Sequence, residues 1–187
     1  LLGGVSSQLG TAATSRFAFL RLTAQGQRDP SFGIGGSGSF VLDIAAVGEM
    51  TAMSTTSSGK ILFAGSNQQH TGIVGKVGEN GAYDSIFGQN GKRYIGPGLL
   101  YDPAISYAPL ALVPLRSGAL LVVGIATNGE SACAGIALLT EAGKFDPTLG
   151  GDGTICLAPA RTGVPLAIGT DAFELDNGQI LVSGGAF

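Results

Sequence analysis

Tryptophan is absent from this chain, and 187 residues carry one histidine, two cysteines and two methionines. Charge is scarce as well: 12% of residues are Asp, Glu, Lys or Arg, against roughly 25% in an average soluble domain. Each shortage excludes something. With a net charge of −3 and no basic run longer than Lys92-Arg93, there is no stripe for nucleic acid and no cluster for anionic lipid. The single His70 sits in the polar stretch Asn67-Gln68-Gln69-His70, and no G-x-S-x-G supplies a nucleophile elbow, so a Ser-His-Asp constellation is not expected. The acids are scattered singly. Asp171, Glu174 and Asp176 are the closest group, and Asp152 lies between two glycines. A calcium site gathers six to eight oxygens, so no metal and no cofactor is expected. No apolar run approaches the ~18 residues of a membrane helix, and no secretory leader is legible. With 44% hydrophobic residues, global disorder is excluded.

What the chain has is glycine, 32 of them, and repetition. Nearly the same eight letters occur three times: DPSFGIGG at 29–36, DSIFGQNG at 84–91 and DPTLGGDG at 146–153. Each copy has a glycine three residues before its Asp (Gly26 and Asp29, Gly81 and Asp84, Gly143 and Asp146) and an apolar segment before that. A second frame recurs between the copies: SGKILFAG at 58–65, SGALLVVG at 117–124 and NGQILVSGG at 177–185. Gly59, Gly118 and Gly178 are spaced by 59 and 60 residues, and LLGG at 1–4 matches the tail of LFAG. The period is therefore about 60, with repeats at approximately 1–61, 62–121 and 122–187. A period of this kind signals a propeller, a solenoid or an array.

The segments within a period are short, β-rich and bounded by Gly, Asn, Asp and Ser, which predicts strands. One period reads as Met50–Ser54, Lys60–Gly65, Thr71–Val77 and Lys92–Ile95. The next reads as Pro109–Val113, Ala119–Gly124, Ala132–Leu139 and Thr154–Ala158. Four antiparallel strands per repeat make the blade of an all-β propeller. The octet then links the third and fourth strands. Its Asp can cap a turn, Gly33, Gly88 and Gly150 can take positive φ, and Phe32, Phe87 or Leu149 plugs the core beneath. Gly33 to Gly38 also spell G-x-G-x-x-G, but a β segment follows at once where a dinucleotide site needs a helix.

These residues carry a resemblance. SGKILFAG with GENGAYDSIFGQNG at 78–91, AQGQRDPSFGIGG at 24–36 and EAGKFDPTLGGDG at 141–153 resemble the delta-60 repeat of bacterial β-propeller proteins. Ser58 and Ser117 stand where that pattern has Asp, and Leu149 where it has Phe. The resemblance implies a propeller of secreted or surface proteins and no known catalytic residue.

Cys133 and Cys156 fall on consecutive antiparallel strands. With Leu139 facing Thr154, Cys156 faces about Ala137, and a disulfide needs a shift of a few residues to bring the Cα atoms within ~7 Å. Either a disulfide, which favours export, or two buried thiols fits the spacing. Tyr94, Tyr101 and Tyr107 lie in or near the long link 96–106, the best candidate for a contact surface. Three blades are fewer than the usual 4–8 of a closed propeller. The expectation is a segment of a longer protein, or copies that assemble. The functional expectation is a non-enzymatic scaffold or protein-interaction module, extracellular, cell-surface or periplasmic, whose partners are proteins or further blades. The alternatives are a hydrolase or lyase with a metal in the central channel, and a glycan-binding adhesin.

Overall fold

Short apolar segments separated by glycine turns fold here into strands. The computed structural model describes residues 1–6, 16–42, 44, 47–67, 71–96, 106–127, 132–157 and 167–186. Among them run β1 (Leu2–Ser6), β2 (Arg16–Leu20), β3 (Ser39–Val41), β4 (Val47–Thr55), β5 (Ile61–Asn67), β6 (Gly72–Val77) and β7 (Lys92–Ile95). The series continues with β8 (Ser106–Pro114), β9 (Leu120–Thr127), β10 (Ala132–Leu139), β11 (Thr154–Leu157), β12 (Ala167–Glu174) and β13 (Ile180–Ala186). They form four antiparallel sheets in chain order: β1-β2-β3, β4-β5-β6-β7, β8-β9-β10-β11 and β12-β13. No α-helix occurs among the described residues.

Both four-stranded sheets contain the strands expected from the sequence, with longer first and second strands. The sheets divide the chain elsewhere than the repeat boundaries do. Cuts near 61 and 121 fall at the β4–β5 and β8–β9 hairpins, so each sheet begins one strand earlier than the sequence repeat.

Burial explains the continuous apolar runs. On β5, Ile61 and Phe63 face the first sheet while Leu62 and Ala64 face the third. On β9, Leu120 and Val122 face back and Leu121 and Val123 face forward. A strand covered on both faces needs apolar residues at every position, not at alternate ones. The first seam is aromatic: Phe17, Phe19, Phe32, Phe40 and Phe63 pack with ring centroids between 4.8 and 5.5 Å apart. The second seam is mostly aliphatic and centres on Leu62, Val74, Leu120, Val122 and Tyr107. Among the described residues no sheet covers the outer face at either end of the stack, and Leu2, Phe173 and Leu181 are each 55–56% exposed.

A backbone irregularity repeats with the period. The ladder of the first strand in the second, third and fourth sheets shifts between Met50 and Ala52, between Pro109 and Ala111, and between Gly169 and Asp171. The extra residue of a bulge kinks its strand toward its neighbour. Gly65, Gly124 and Gly184 lie where it does so. A Cβ on them would collide with the carbonyl oxygens of Glu49, Ala108 and Ile168 respectively. The glycine six residues after Gly59, Gly118 and Gly178 in each second-strand frame is therefore fixed by close backbone approach.

Candidate functional site

The three octets form equivalent turns, and their Asp residues cap them. Asp29 Oδ1 accepts from the Ser31 N–H at 2.9 Å and its hydroxyl at 2.7 Å, and Asp146 Oδ1 accepts the same pair from Thr148 at 3.0 and 2.7 Å. Ile86 has no hydroxyl, so Asp84 Oδ1 receives only the Ile86 N–H, at 3.4 Å. Gly33, Gly88 and Gly150 take φ of 82°, 59° and 64°. Their Cα atoms lie against the carbonyls of Ser39, Lys92 and Thr154, where a Cβ has no room. Gly26, Gly81 and Gly143 turn the chain just before, each with positive φ. Phe32 and Phe87 are buried in the first and second seams, and Leu149 packs on the third.

One alignment within the octet differs from the sequence reading. Phe32 O accepts from Gly38 N, as Phe87 O does from Gly91 N and Leu149 O from Gly153 N, all at 2.8 Å. Gly38, not Gly36, is thus the equivalent of Gly91 and Gly153. The first loop is two residues longer and takes up the excess in a 3₁₀ turn at Ile34–Gly36. That turn is what the G-x-G-x-x-G letters encode, and Gly33 N donates to Glu79 O of the next sheet.

The turns also join neighbouring sheets. Gly88 N donates to Ala142 O at 2.7 Å, and Arg93 Nε to Gly143 O at 2.6 Å. Arg21 Nη1 donates to Glu79 Oε1, Arg116 N to Glu174 Oε2 and Thr51 Oγ1 to Pro109 O, each pair separated by 58 residues. A contact one period long links a sheet to its successor. The acids weighed as calcium ligands are engaged within the fold, some across sheets and some in their own turns. Glu174 and Asp176 hold Arg116, Asp171 Oδ1 accepts its neighbour Ala172 N, and Asp152 Oδ1 caps Thr154. Among the described residues no three potential metal ligands cluster.

The strand position before each octet sets the local electrostatics. In the first sheet Arg21 donates to Asp29 (2.8 Å), Glu79 (2.7 Å) and Ser31 (2.8 Å), and lies 4.8 Å over the Phe32 ring. In the second the position is Lys76, 3.7 Å from Asp84 and 5.9 Å from the Phe87 ring, while Lys60 holds Asp84 at 2.7 Å. In the third the position is Leu138, which packs on the same core cluster as Leu149. The Leu that replaces Phe in the octet thus accompanies the loss of the cation that faces it. All three carboxyls sit below their ordinary value. The Ser31 hydrogen bonds lead at Asp29 and those of Thr148 at Asp146. At Asp84 burial pushes the value up, and the Lys60 hydrogen bond and charge, with the Ile86 N–H and Lys76, outweigh it.

Cys133 and Cys156 form a disulfide with Cα atoms 5.6 Å apart. The register is two residues from the expected one. Thr154 faces Ala137 and Cys156 faces Gly135, which places Cys133 diagonally across. Tyr107 corrects the contact-loop expectation. It is 1% exposed, its hydroxyl lies 3.2 Å from both the Val122 and Gly135 carbonyls, and burial pushes its phenol above the ordinary value. Gly72 and Gly135 leave the room for its ring. Tyr94 is 45% exposed on β7; Tyr101 and His70 lie outside the described residues.

One concave site stands out. Between the second and third sheets a cavity of about 390 Å³ opens beside the first turns of both. Its lining includes Ser57 and Ser58 of the β4–β5 turn, Leu115 and Ala119 around the β8–β9 turn, and the buried Lys76 and Phe87. Sequence reasoning passed over Lys76, although a lysine inside the apolar strand GIVGKV was the available signal.

A family model described as a domain of unknown function (DUF5122), beta-propeller, matches residues 1–32, which span β1, β2 and the first octet as far as Phe32. No curated protein matches the chain. Over that stretch the chain is similar to a β-propeller family, and the same frame recurs twice more in the sequence.

Proposed function

We propose that this chain is a non-enzymatic β-propeller module of the delta-60 type, serving an exported bacterial protein as a scaffold and protein-interaction surface. The observation that carries this reading is the placement of the repeated letters. Asp29, Asp84 and Asp146 each cap their own turn, and Phe32, Phe87 and Leu149 each seal a seam. Residues repeated for shape at every period describe a scaffold. The Cys133–Cys156 disulfide supports an oxidising location, outside the cell or in the periplasm. The apolar end faces around Leu2, Phe173 and Leu181 suit further blades of the same polypeptide or another copy of the chain.

The test is a native mass measurement on the protein isolated from its source, with metal analysis on the same sample. The expected result is a species larger than 18.7 kDa, by longer sequence or by assembly, without stoichiometric metal. An 18.7 kDa monomer carrying one metal per chain would overturn the reading in favour of a channel-metal enzyme.

A further inference from the structure

We infer that the cavity between the second and third sheets binds a small hydroxylated monocarboxylate, with the Lys76 ammonium as the group that recognises the anion. The inference stands apart from the scaffold reading; it asks what one seam does that its neighbours do not.

The cavity, about 390 Å³, falls in the range of small-molecule sites, ~300–1,000 Å³. The Lys76 side chain in its lining is 8% exposed. An ammonium has three N–H donors, and among the described residues none of those of Lys76 meets an acceptor within hydrogen-bond distance. Its one ionic neighbour, Asp84 Oδ2, is 3.7 Å away and already receives Lys60 at 2.7 Å. Such a buried charge is costly unless something completes its shell. The repeat supplies an internal control. Arg21 reaches its own Asp29, Ser31 and the next sheet's Glu79. The residue equivalent to Glu79 is Glu141, which lines the cavity and makes no ion pair with Lys76. In the third sheet the cation is replaced by Leu138. Among the described residues the second seam sets a buried cation beside an open cavity.

The remaining lining narrows the ligand. The hydroxyls of Ser57, Ser58 and Thr140 offer neutral hydrogen bonds, and Leu62 and Leu120 an apolar surface. Arg116 turns away to Glu174, Leu175 and Asp176. Glu141, exposed at the cavity wall, repels a second negative charge. One carboxylate on a polar, compact body fits; a dianion does not.

The test is a titration of the purified protein with D-glucuronate, followed by amide NMR shifts, with D-glucose and citrate as controls. Saturable shifts at Ser57, Ser58 and Thr140 with glucuronate, and weaker ones with either control, are expected. Lys76→Met weakens binding by about tenfold or more, the loss of one hydrogen bond to a charged group. Lys76→Arg is the second variant. Its longer fork reaches Glu141 and Asp84 as Arg21 reaches Glu79 and Asp29, so glucuronate binding falls while Tm holds or rises. No saturable shift with glucuronate overturns the inference. So does unchanged binding in Lys76→Met or, should that variant fail to fold, in Lys76→Arg.

Discussion

The second and third sheets have the same four strands, the same bulge and the same octet, yet they are held together by different chemistry. In β4–β7 the loop between the last two strands is fixed by charge: Asp84 is 7% exposed and lies between Lys60 and Lys76. In β8–β11 the corresponding strand position is Leu138, the carboxylate Asp146 meets only Thr148, and the disulfide ties the strands directly. The scaffold needs its turn closed and its seam filled. It is indifferent to whether an ion pair or a covalent bond with a leucine contact accomplishes this. What such freedom allows is divergence between sheets at this strand position, and the cavity lies beside Lys76, where the second sheet differs from both neighbours.

The comparison can be broken from either side. The largest effect is expected from the covalent one. Reducing the disulfide, or replacing both cysteines with serine, removes a cross-link between residues 23 apart, and the loop-entropy estimate for that length is about 3 kcal/mol. Hydrogen exchange should speed in β10 and β11 with little change in β6 and β7. Next is Asp84→Asn, which leaves the buried Lys76 without a counter-charge and costs about 2 kcal/mol, read in a denaturant midpoint. Asp146→Asn, at an exposed carboxylate with no cation, should shift that midpoint far less. Equal shifts in the two variants would dissolve the contrast.

Acid sharpens the same difference. The Asp84 value is lower folded than its ordinary 3.8, so its contribution is fully present above that pH and is lost as pH falls through the folded value. Stability measured between pH 5 and 2 should therefore fall less steeply in Asp84→Asn than in the native protein. The smallest effect is expected from Leu138→Arg, which puts a cation beside Asp146. An exposed pair of this kind contributes about 0–1 kcal/mol, set against the leucine contact it removes. A clear gain in Tm would mean that the third sheet lacks only the charge.

Much of the architecture was legible because the strands and turns depend on letters that recur. Lys60 to Gly65 read as a strand without any neighbour in view, and Gly59 announced the turn before it. The octet Asp and Phe could be assigned from local chemistry alone. Contacts between strands were less accessible. Placing Leu139 opposite Thr154 was two residues out, since nothing local counts how many residues the loop absorbs. The same blindness paired Gly36 with Gly91, when two extra residues in a 3₁₀ turn make Gly38 the partner. Tyr107 looked like a surface aromatic because it adjoins the long link 96–106 with its two prolines, and Gly72 and Gly135 on two other strands show why its ring is buried. The Lys76 cavity depends on which residue of the next sheet fails to reach back, a property of two repeats at once.

The 58-residue spacing of the seam contacts bears on how the chain acquires its structure. Among the described residues the main contacts between elements reach no farther than the next sheet, and such contacts form without bringing distant parts of the chain together. Loop closure costs each step about as much as the one before it. Emerging from a ribosome, the first sheet would wait for Glu79 before Arg21 and Gly33 find their acceptors, and the second for Ala142. Assembly then proceeds as a zipper, each sheet maturing one sheet late, with the newest always the least protected.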